Sequence, residues 1–265
     1  MNTKISIILT CHNKENLIGK VLKGIIENTE QQAELVLVFD GCDDNSESIC
    51  DKIIAENEDS NIIFKKIYTP DVFETKANNE GMKMASGDYF ILVQDDMVIK
   101  EKGWDIRILK PFNQYSDIIS ITSNTAHNIK AVKSRFLRKY TGLDCPDQVS
   151  RLNGLSRNIF SIRDTANRGP LALDAKKVRE LNYLDEAFAP YNWDEHDLNL
   201  RAYNQHKWVS GCYWIDYESK EEWGTTKNKN KNIYTLSYEK NSALLYKRHF
   251  KLIDGNKHNE ERIIE

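Results

Sequence analysis

Apolar positions along the first hundred residues switch between two rhythms. Residues 5–10 (ISIILT) are an unbroken, β-branched run, as a strand covered on both faces requires. Leu17, Val21, Leu22, Ile25 and Ile26 then recur at helical spacing, which predicts a helix over 14–29. The alternation continues with a strand at 34–40 (ELVLVFD) and a helix at 46–58 that turns Ile49, Ile53 and Ile54 inward. A strand at 61–69, a helix at 75–86 ending near Gly87 and a strand at 88–94 (DYFILVQ) follow. Strands and helices alternating at this pitch predict βαβ units, hence an α/β fold with a mostly parallel central sheet flanked by helices.

Past residue 100 the pattern loosens. Residues 103–112 read as helix and 117–122 (DIISIT) as strand. The polar, basic stretch 124–168, with Lys130, Lys133, Arg135, Arg138 and Lys139, is expected to hold loops and short helices. A strand at 169–174, a helix at 175–181, a helix starting near Trp193 and a β-prone aromatic run at 208–219 come next. A Lys/Asn-rich segment from 226 leads into an amphipathic helix carrying Leu236, Tyr238, Ala243, Leu244, Leu245 and Tyr246. This divides the chain into an α/β domain over 1–225 and a helical C-terminal extension over 226–265.

Composition narrows the function. The chain has 265 residues, 40% hydrophobic and 29% charged, with a net charge of −3, so it lacks the basic field of a general nucleic-acid binder. No apolar run approaches the roughly 20 residues that cross a bilayer. The N-terminus reads as a first strand, since its apolar run is too short for a signal peptide. Five cysteines, an odd number without CxxC pairing, argue against a disulfide framework and a zinc site and for a reducing cytoplasm. The tail, rich in Tyr and Lys, is expected to dock on the domain or to touch a membrane or a partner.

Ligands of an open parallel sheet bind at the carboxyl ends of its strands. Three such ends carry polar clusters: Thr10–Cys11–His12–Asn13, Asp40–Gly41–Cys42–Asp43–Asp44–Asn45, and Gln94–Asp95–Asp96. Asp95 and Asp96 follow a buried strand, and two adjacent carboxylates repel unless a cation lies between them. Oxygen ligands suit Mg²⁺ or Mn²⁺, which bridge to substrate phosphates. Asp40 ends its strand beside a glycine, where a carboxylate can accept from a base or a ribose, whereas Asp44 and Ser46 suit a helix cap. In NWDEHDLNLRAY (192–203), Asp194, Glu195 and Asp197 crowd a helix start. That pattern fits equally a capped, charged helix end and a general base facing the sheet edge.

In this order the motifs resemble the family-2 glycosyltransferases with the GT-A (Rossmann-like) fold, over residues 4–225. ISIILTCHN resembles the opening strand and nucleotide-contact loop, with Thr10 where proline is frequent, and implies donor contacts from Thr10, His12 and Asn13. ELVLVFDGCDDNS resembles the second strand and places Asp40 near the nucleobase. TKANNEGMKMASGDYFILVQDD resembles the segment entering a DxD-type metal motif, with Gln94 at its usual first acid. It implies Asp96 as metal ligand, Asp95 as a ribose or phosphate contact, and Lys76 and Asn79 as substrate contacts. NRGPLALDAKKVRELNYLDEAFAPYNWDEHDLNLRAY resembles the acceptor-side segment and implies Glu195 as catalytic base, with Asp194 next. The activity implied is inverting transfer of a sugar from a nucleotide-diphosphate donor to the hydroxyl of a glycan or glycoconjugate acceptor.

Arg135, Arg138, Arg157 and Arg168 are candidate diphosphate or acceptor contacts. Trp193, Trp208, Trp214 and Trp223 fall near the acceptor side, where core packing competes with sugar stacking. Two rival readings remain. A sugar-1-phosphate nucleotidyltransferase wants a glycine-rich loop after strand 1, where KENLIG offers only Gly19. A non-catalytic sugar-nucleotide or glycan-binding module predicts that binding survives loss of Glu195.

Overall fold

Successive side chains of a strand face opposite ways, and β1 (Ile5–Cys11) uses both faces. Ile5, Ile7, Leu9 and Cys11 join one core, together with Leu35 and Leu37 of β2 (Ala33–Asp40) and Ile91 and Val93 of β4 (Tyr89–Gln94). Ile8, Val36, Val38, Phe90 and Leu92 join the core on the other face. The first core is covered by α1 (Ile18–Asn28), α2 (Ser46–Ala55) and α4 (Trp104–Gln114). The second lies under α3 (Phe73–Met84), α5 (Ala175–Glu180) and α6 (Asp194–His206). Each fully buried aliphatic side chain contributes about 1.5–3 kcal/mol, so a strand buried on both sides is the most costly place for a polar residue. On α3, a Cβ at Gly81 would stand 2.5 Å from Cγ2 of Ile8. A larger residue there lifts the helix off the sheet.

The structure, a computed structural model, describes residues 4–135, 139–224, 231–255 and 257–265. Its remaining strands are β3 (Ile62–Thr69), β5 (Val98–Ile99), β6 (Ile118–Thr122), β7 (Thr125–His127), β8 (Lys130–Lys133), β9 (Tyr140–Asp144) and β10 (Val149–Ser150). Then come β11 (Ile159–Arg163), β12 (Thr165–Ala166), β13 (Leu171–Asp174), β14 (Val209–Cys212), β15 (Tyr217–Glu218) and β16 (Glu260–Ile263). The central sheet has the order β16-β11-β14-β6-β13-β4-β1-β2-β3. β13 pairs antiparallel with β4 and β6, and β11 antiparallel with β14 and β16; the other pairs in this sheet are parallel. The expected mostly parallel sheet flanked by helices is present.

Two expectations need correction. Residues 124–168 hold six short strands, β7 to β12, where loops and short helices were expected. Their pairing is non-local: β7 binds both β10 and β12. Strands of two to five residues carry too little periodicity to announce themselves. The basic side chains fall partly on the β8–β9 hairpin, where Lys130 and Lys133 are exposed. The first helix begins at Ile18 and not at 14, because residues 12–15 are stapled to neighbouring loops: Lys14 N–H donates to Ser46 Oγ at 2.8 Å and Glu15 N–H to Asp44 Oδ2 at 2.9 Å.

The 226–265 segment contributes α7 (Lys231–Ile253) and β16. α7 packs beside α6 over a small core of Ile129, Phe188, Trp193, Leu200, Leu245 and Ile253. β16 pairs with β11 at the margin of the central sheet.

Candidate active site

The C-terminal ends of β1, β2 and β4 open on one cleft of about 720 Å³. Thr10, His12, Asn13, Asp40, Asp95 and Asp96 all line it, so the three polar strand ends converge as expected. A second groove of the same volume lies between α1, α2 and β5, lined by Gly19, Lys23 and Lys52 among others, away from these strand ends.

Many of the converging groups hold one another. Thr10 Oγ1 donates to Asn78 Oδ1 at 2.8 Å, and Asn13 Oδ1 accepts from Asp43 N–H at 2.9 Å. His12 N–H donates to Asp95 Oδ2 at 3.0 Å, while its Nδ1 lies 2.6 Å from the Asp40 carbonyl oxygen. The Asp40 carboxylate accepts from Thr69 Oγ1 at 2.7 Å, Val72 N–H at 2.8 Å and Phe73 N–H at 2.9 Å. Three of its roughly four acceptor positions are thereby taken, and it braces the loop into α3 more than it awaits a ligand. His12 Nδ1 and carboxylate oxygens of Asp40 and Asp71 lie within 4.8 Å of one another. Asp71 comes from the loop after β3, so spacing could not reveal this group, and His12 and Asp40 are already engaged within it.

The acid pair after β4 is arranged differently. Asp95 Oδ1 lies 3.4 Å from the buried ammonium of Lys14, whose Nζ also donates to the Trp223 carbonyl at 2.6 Å. Burial pushes Asp95 up to about 7, against the pull of Lys14 and the His12 N–H. Burial likewise raises Asp96, with Lys14 opposing and Glu74 adding. Asp96 Oδ1 is buried and has no hydrogen-bond partner among the described residues. A buried carboxylate oxygen without a donor is costly, and a divalent cation is the partner its chemistry fits.

Arg168, which also lines the cleft, is buried and binds three carboxylates. It pairs with Glu74 at 2.7 Å, Asp194 at 2.5 Å and Glu195 at 3.4 Å, and its N–H donates to Glu195 Oε1 at 3.3 Å. Glu74 also accepts from Gln94 Nε2 at 2.6 Å, which ties this network to β4. Asp194 accepts from Thr75 Oγ1 at 2.8 Å. Burial drives Asp194 up to about 8 despite Arg168, and the adjacent Glu195 charge adds to the rise. For Glu195 burial acts in the same sense, but Arg168 and His196 outweigh it and hold the carboxyl well below its usual range. The two neighbouring carboxyls are thus pushed in opposite directions, Asp194 up and Glu195 down. Neither belongs to the cleft wall; Arg168 does.

Lys76 and Asn79 do not line the cleft. On α3 the cleft is faced by Phe73, Glu74 and Asn78, and residues two and five positions beyond Glu74 point elsewhere on a 3.6-residue helix. Asn79 is committed to the Leu184 backbone, donating to its carbonyl at 2.9 Å and accepting from its N–H at 3.1 Å. Of the arginine candidates, Arg135 is exposed on the β8–β9 connection, Arg157 pairs with Glu101, and Arg138 lies outside the described residues. The four tryptophans do not line the cleft: Trp193 is buried in the core under α7, and Trp208 stacks on His206. Sequence reading missed Lys14, Glu74, Asn78, Tyr191, Asn192 and Tyr234 as cleft residues. A lysine two places past His12 was the one signal to hand; Tyr234 comes from α7, far along the chain.

Residues 6–168 match the family model described as glycosyl transferase family 2. Among curated proteins, glycosyltransferase GlyG of Streptococcus pneumoniae serotype 4 is 28% identical over 101 residues, 38% of this chain and 33% of GlyG. The poly-β-1,6-N-acetyl-D-glucosamine synthase of Staphylococcus aureus is 27% identical over 99 residues, 37% of this chain and 23% of the synthase. The matched stretch thus spans a third or less of these relatives. Among solved structures, a mannosyltransferase from Pyrobaculum calidifontis in complex with GDP-Man and Mn²⁺ aligns with a TM-score of 0.63 at 10% identity. That alignment covers 97% of this chain and 66% of the other. TarS 1–349 of S. aureus in complex with UDP-GlcNAc aligns with a TM-score of 0.53 at 14% identity, covering 94% and 70%. These likenesses establish a shared GT-A architecture.

Proposed function

The chain belongs to glycosyl transferase family 2, and from that premise we propose that it moves a sugar from a nucleotide-diphosphate donor to an acceptor hydroxyl with inversion. The proposed setting is polysaccharide or glycoconjugate assembly in the cytoplasm. One observation carries the reading: Asp96, with an unsatisfied buried oxygen, and Arg168, ion-paired with Asp194 and Glu195, share the cleft into which β1, β2 and β4 open.

Asp96 would hold a divalent cation of the Mg²⁺ or Mn²⁺ type, which when bound neutralises the charge gathering on a departing diphosphate. The chain's own residues supply the rest. Thr10, His12 and Asn13 form the wall on the nucleoside side, and Asp40 fixes the loop that shapes it. Asp95, gripped by the His12 N–H and Lys14, sits where a ribose or phosphate would approach. Lys14 and Arg168 both bring positive charge to the cleft. Tyr191, Asn192 and Tyr234 form the acceptor wall. Glu195, ionised, takes the proton of the attacking hydroxyl, while Asp194 stays protonated and spares the pocket a second charge. Inversion needs one base only, and Glu195 becomes accessible when Arg168 turns from it toward a diphosphate.

A thermal-shift screen of nucleoside diphosphates tests donor and metal together. A nucleoside diphosphate that raises Tm in Mn²⁺ and not in EDTA is the expected result. A flat response across uridine, guanosine, adenosine, cytidine and thymidine diphosphates with Mn²⁺ would overturn the reading. Turnover by a Glu195→Gln variant separates an enzyme from a binding module, since only an enzyme has a rate to lose.

A further inference from the structure

The segment that delivers Asp194 and Glu195 to the site does not hold itself. Residues 189–193 run from a short 3₁₀ turn (Glu186–Phe188) to the start of α6 outside any strand, so no ladder takes up their carbonyls. Two consecutive residues at its end, Asn192 at φ 75° and Trp193 at φ 71°, occupy the left-handed region, which a bulky side chain such as tryptophan rarely adopts. Such a backbone persists only where its surroundings fix it.

One face of α7 does the fixing. Asn241 is fully buried, and its Nδ2 donates to the carbonyls of Phe188 at 2.5 Å, Tyr191 at 3.0 Å and Asn192 at 3.2 Å. A side-chain amide has two N–H bonds, so three acceptors use its donor capacity completely. One turn earlier, Ser237 Oγ accepts from Asn192 Nδ2 at 3.1 Å, and the Tyr238 and Trp193 ring centroids lie 5.3 Å apart. Tyr234 meets Tyr191 with centroids 6.1 Å apart. The intervening Pro190 carbonyl accepts from Thr75 N–H at 3.2 Å. Positions 234, 237, 238 and 241 recur at three- and four-residue steps and so share one side of the helix. What they grip is the stretch that carries Tyr191 and Asn192 of the cleft wall and then, directly along the chain, Asp194 and Glu195.

We propose that Asn241 is a positioning residue for the transfer reaction. Through three carbonyls it sets the backbone that aims Tyr191 and Asn192 into the cleft and brings Asp194 and Glu195 to Arg168. Asn241 does not line the cleft, so it acts only through this segment. The brace stands on the geometry alone; its consequence for turnover rests on the transferase reading. A nucleotide seated at the ends of β1, β2 and β4 meets other residues, so loss of the brace separates turnover from nucleotide affinity.

Asn241→Leu keeps the branched shape and removes the donors. In the full chain, hydrogen exchange at the amides of 188–193 is expected to speed up by roughly tenfold or more, while those of β1 and β4 keep wild-type rates. The second readout is hydrolysis of the nucleotide sugar whose diphosphate raises Tm in Mn²⁺, with rates divided by nucleotide-binding stoichiometry so that an unfolded fraction does not count. There kcat is expected to fall by about 10²-fold, the cost of displacing a reacting group by about 1 Å, with KM for the donor unchanged. Ser237→Ala removes only the contact to the Asn192 side chain and should move both readouts the same way by less, which decides the matter if Asn241→Leu does not fold. Leu245→Ala loosens the same small core without touching these carbonyls and should leave kcat per bound nucleotide unchanged. Wild-type exchange over 188–193 in the Asn241 and Ser237 variants would overturn the brace. Wild-type kcat in those variants, or an equal fall in Leu245→Ala, would overturn the positioning role. A wild-type protein that neither binds nucleoside diphosphates nor hydrolyses nucleotide sugars removes the transferase reading, and with it the effect on turnover, while exchange over 188–193 still decides the brace.

Discussion

Asp95–Asp96 and Asp194–Glu195 are both neighbouring acids at the end of a secondary-structure element, and both are mostly buried. The first pair opens on the cleft, is met by one ammonium, and keeps an oxygen of Asp96 without a donor. The second pair is sealed behind Arg168, receives a guanidinium at close range, and has its two carboxyls shifted in opposite directions. Two like charges can be reconciled by an external cation or by an internal one. The first arrangement leaves room for an external cation, and the second carries its own.

Four changes would break or sharpen this contrast. The largest effect is expected from Glu195→Gln, a loss of roughly 10²–10⁴ in kcat with donor affinity intact, read by steady-state kinetics beside calorimetry. Wild-type rates would move the base to Asp194. Next, Arg168→Gln strips the cation from three carboxylates, Glu74, Asp194 and Glu195. It should cost about 3–5 kcal/mol of stability in a denaturant titration, the usual price of breaking a buried pair. Asp96→Ala should cut donor affinity in Mn²⁺ by roughly 10²-fold or more, equivalent to about 2.7–4 kcal/mol, and change affinity in EDTA little. Equal losses in both media would show that Asp96 acts without metal.

The fourth change concerns His127, whose ring packs against that of His196. Its Nε2 lies 3.2 Å from His196 Nε2, and burial first, then His196, lowers it to about 3. Unfolded histidine titrates near 6.5, so the unfolded state binds the extra proton first. Stability is therefore full above that value and falls as pH drops toward 3, by up to about 1.4 kcal/mol per pH unit. His127→Gln should flatten this slope in denaturant titrations between those limits. An unchanged slope would place the titrating group elsewhere.

The two acid pairs also differ in how far sequence could reach them. β1 to β4 are buried strands with local helical crossovers, so their order, their parallel direction and the convergence of their ends follow from hydrophobic rhythm. That was enough to bring Thr10, Asp40 and Asp96 to one cleft. The Arg168 side of the cleft depends on pairings with no local signature, such as β7 with β12 and β10, or Arg168 with residues of α3 and α6. Composition marked Arg168 only as one basic residue among several. The shift from Asn79 to Asn78 shows the same limit at finer grain: on a helix one residue is about 100°, enough to exchange a cleft contact for a structural clamp.

Strand β16 comes last in sequence and is itself the outer strand of the central sheet, with Ile159 to Ile162 as its partners and the charged Glu260, Glu261 and Arg262 along it. Without it, the outward amides and carbonyls of β11 would face water as an open ladder that another molecule could extend. Shortening the protein before Glu260 would therefore do more than remove an appendage. It would bare a sticky rim, and clumping would set in before any change in chemistry at the distant cleft.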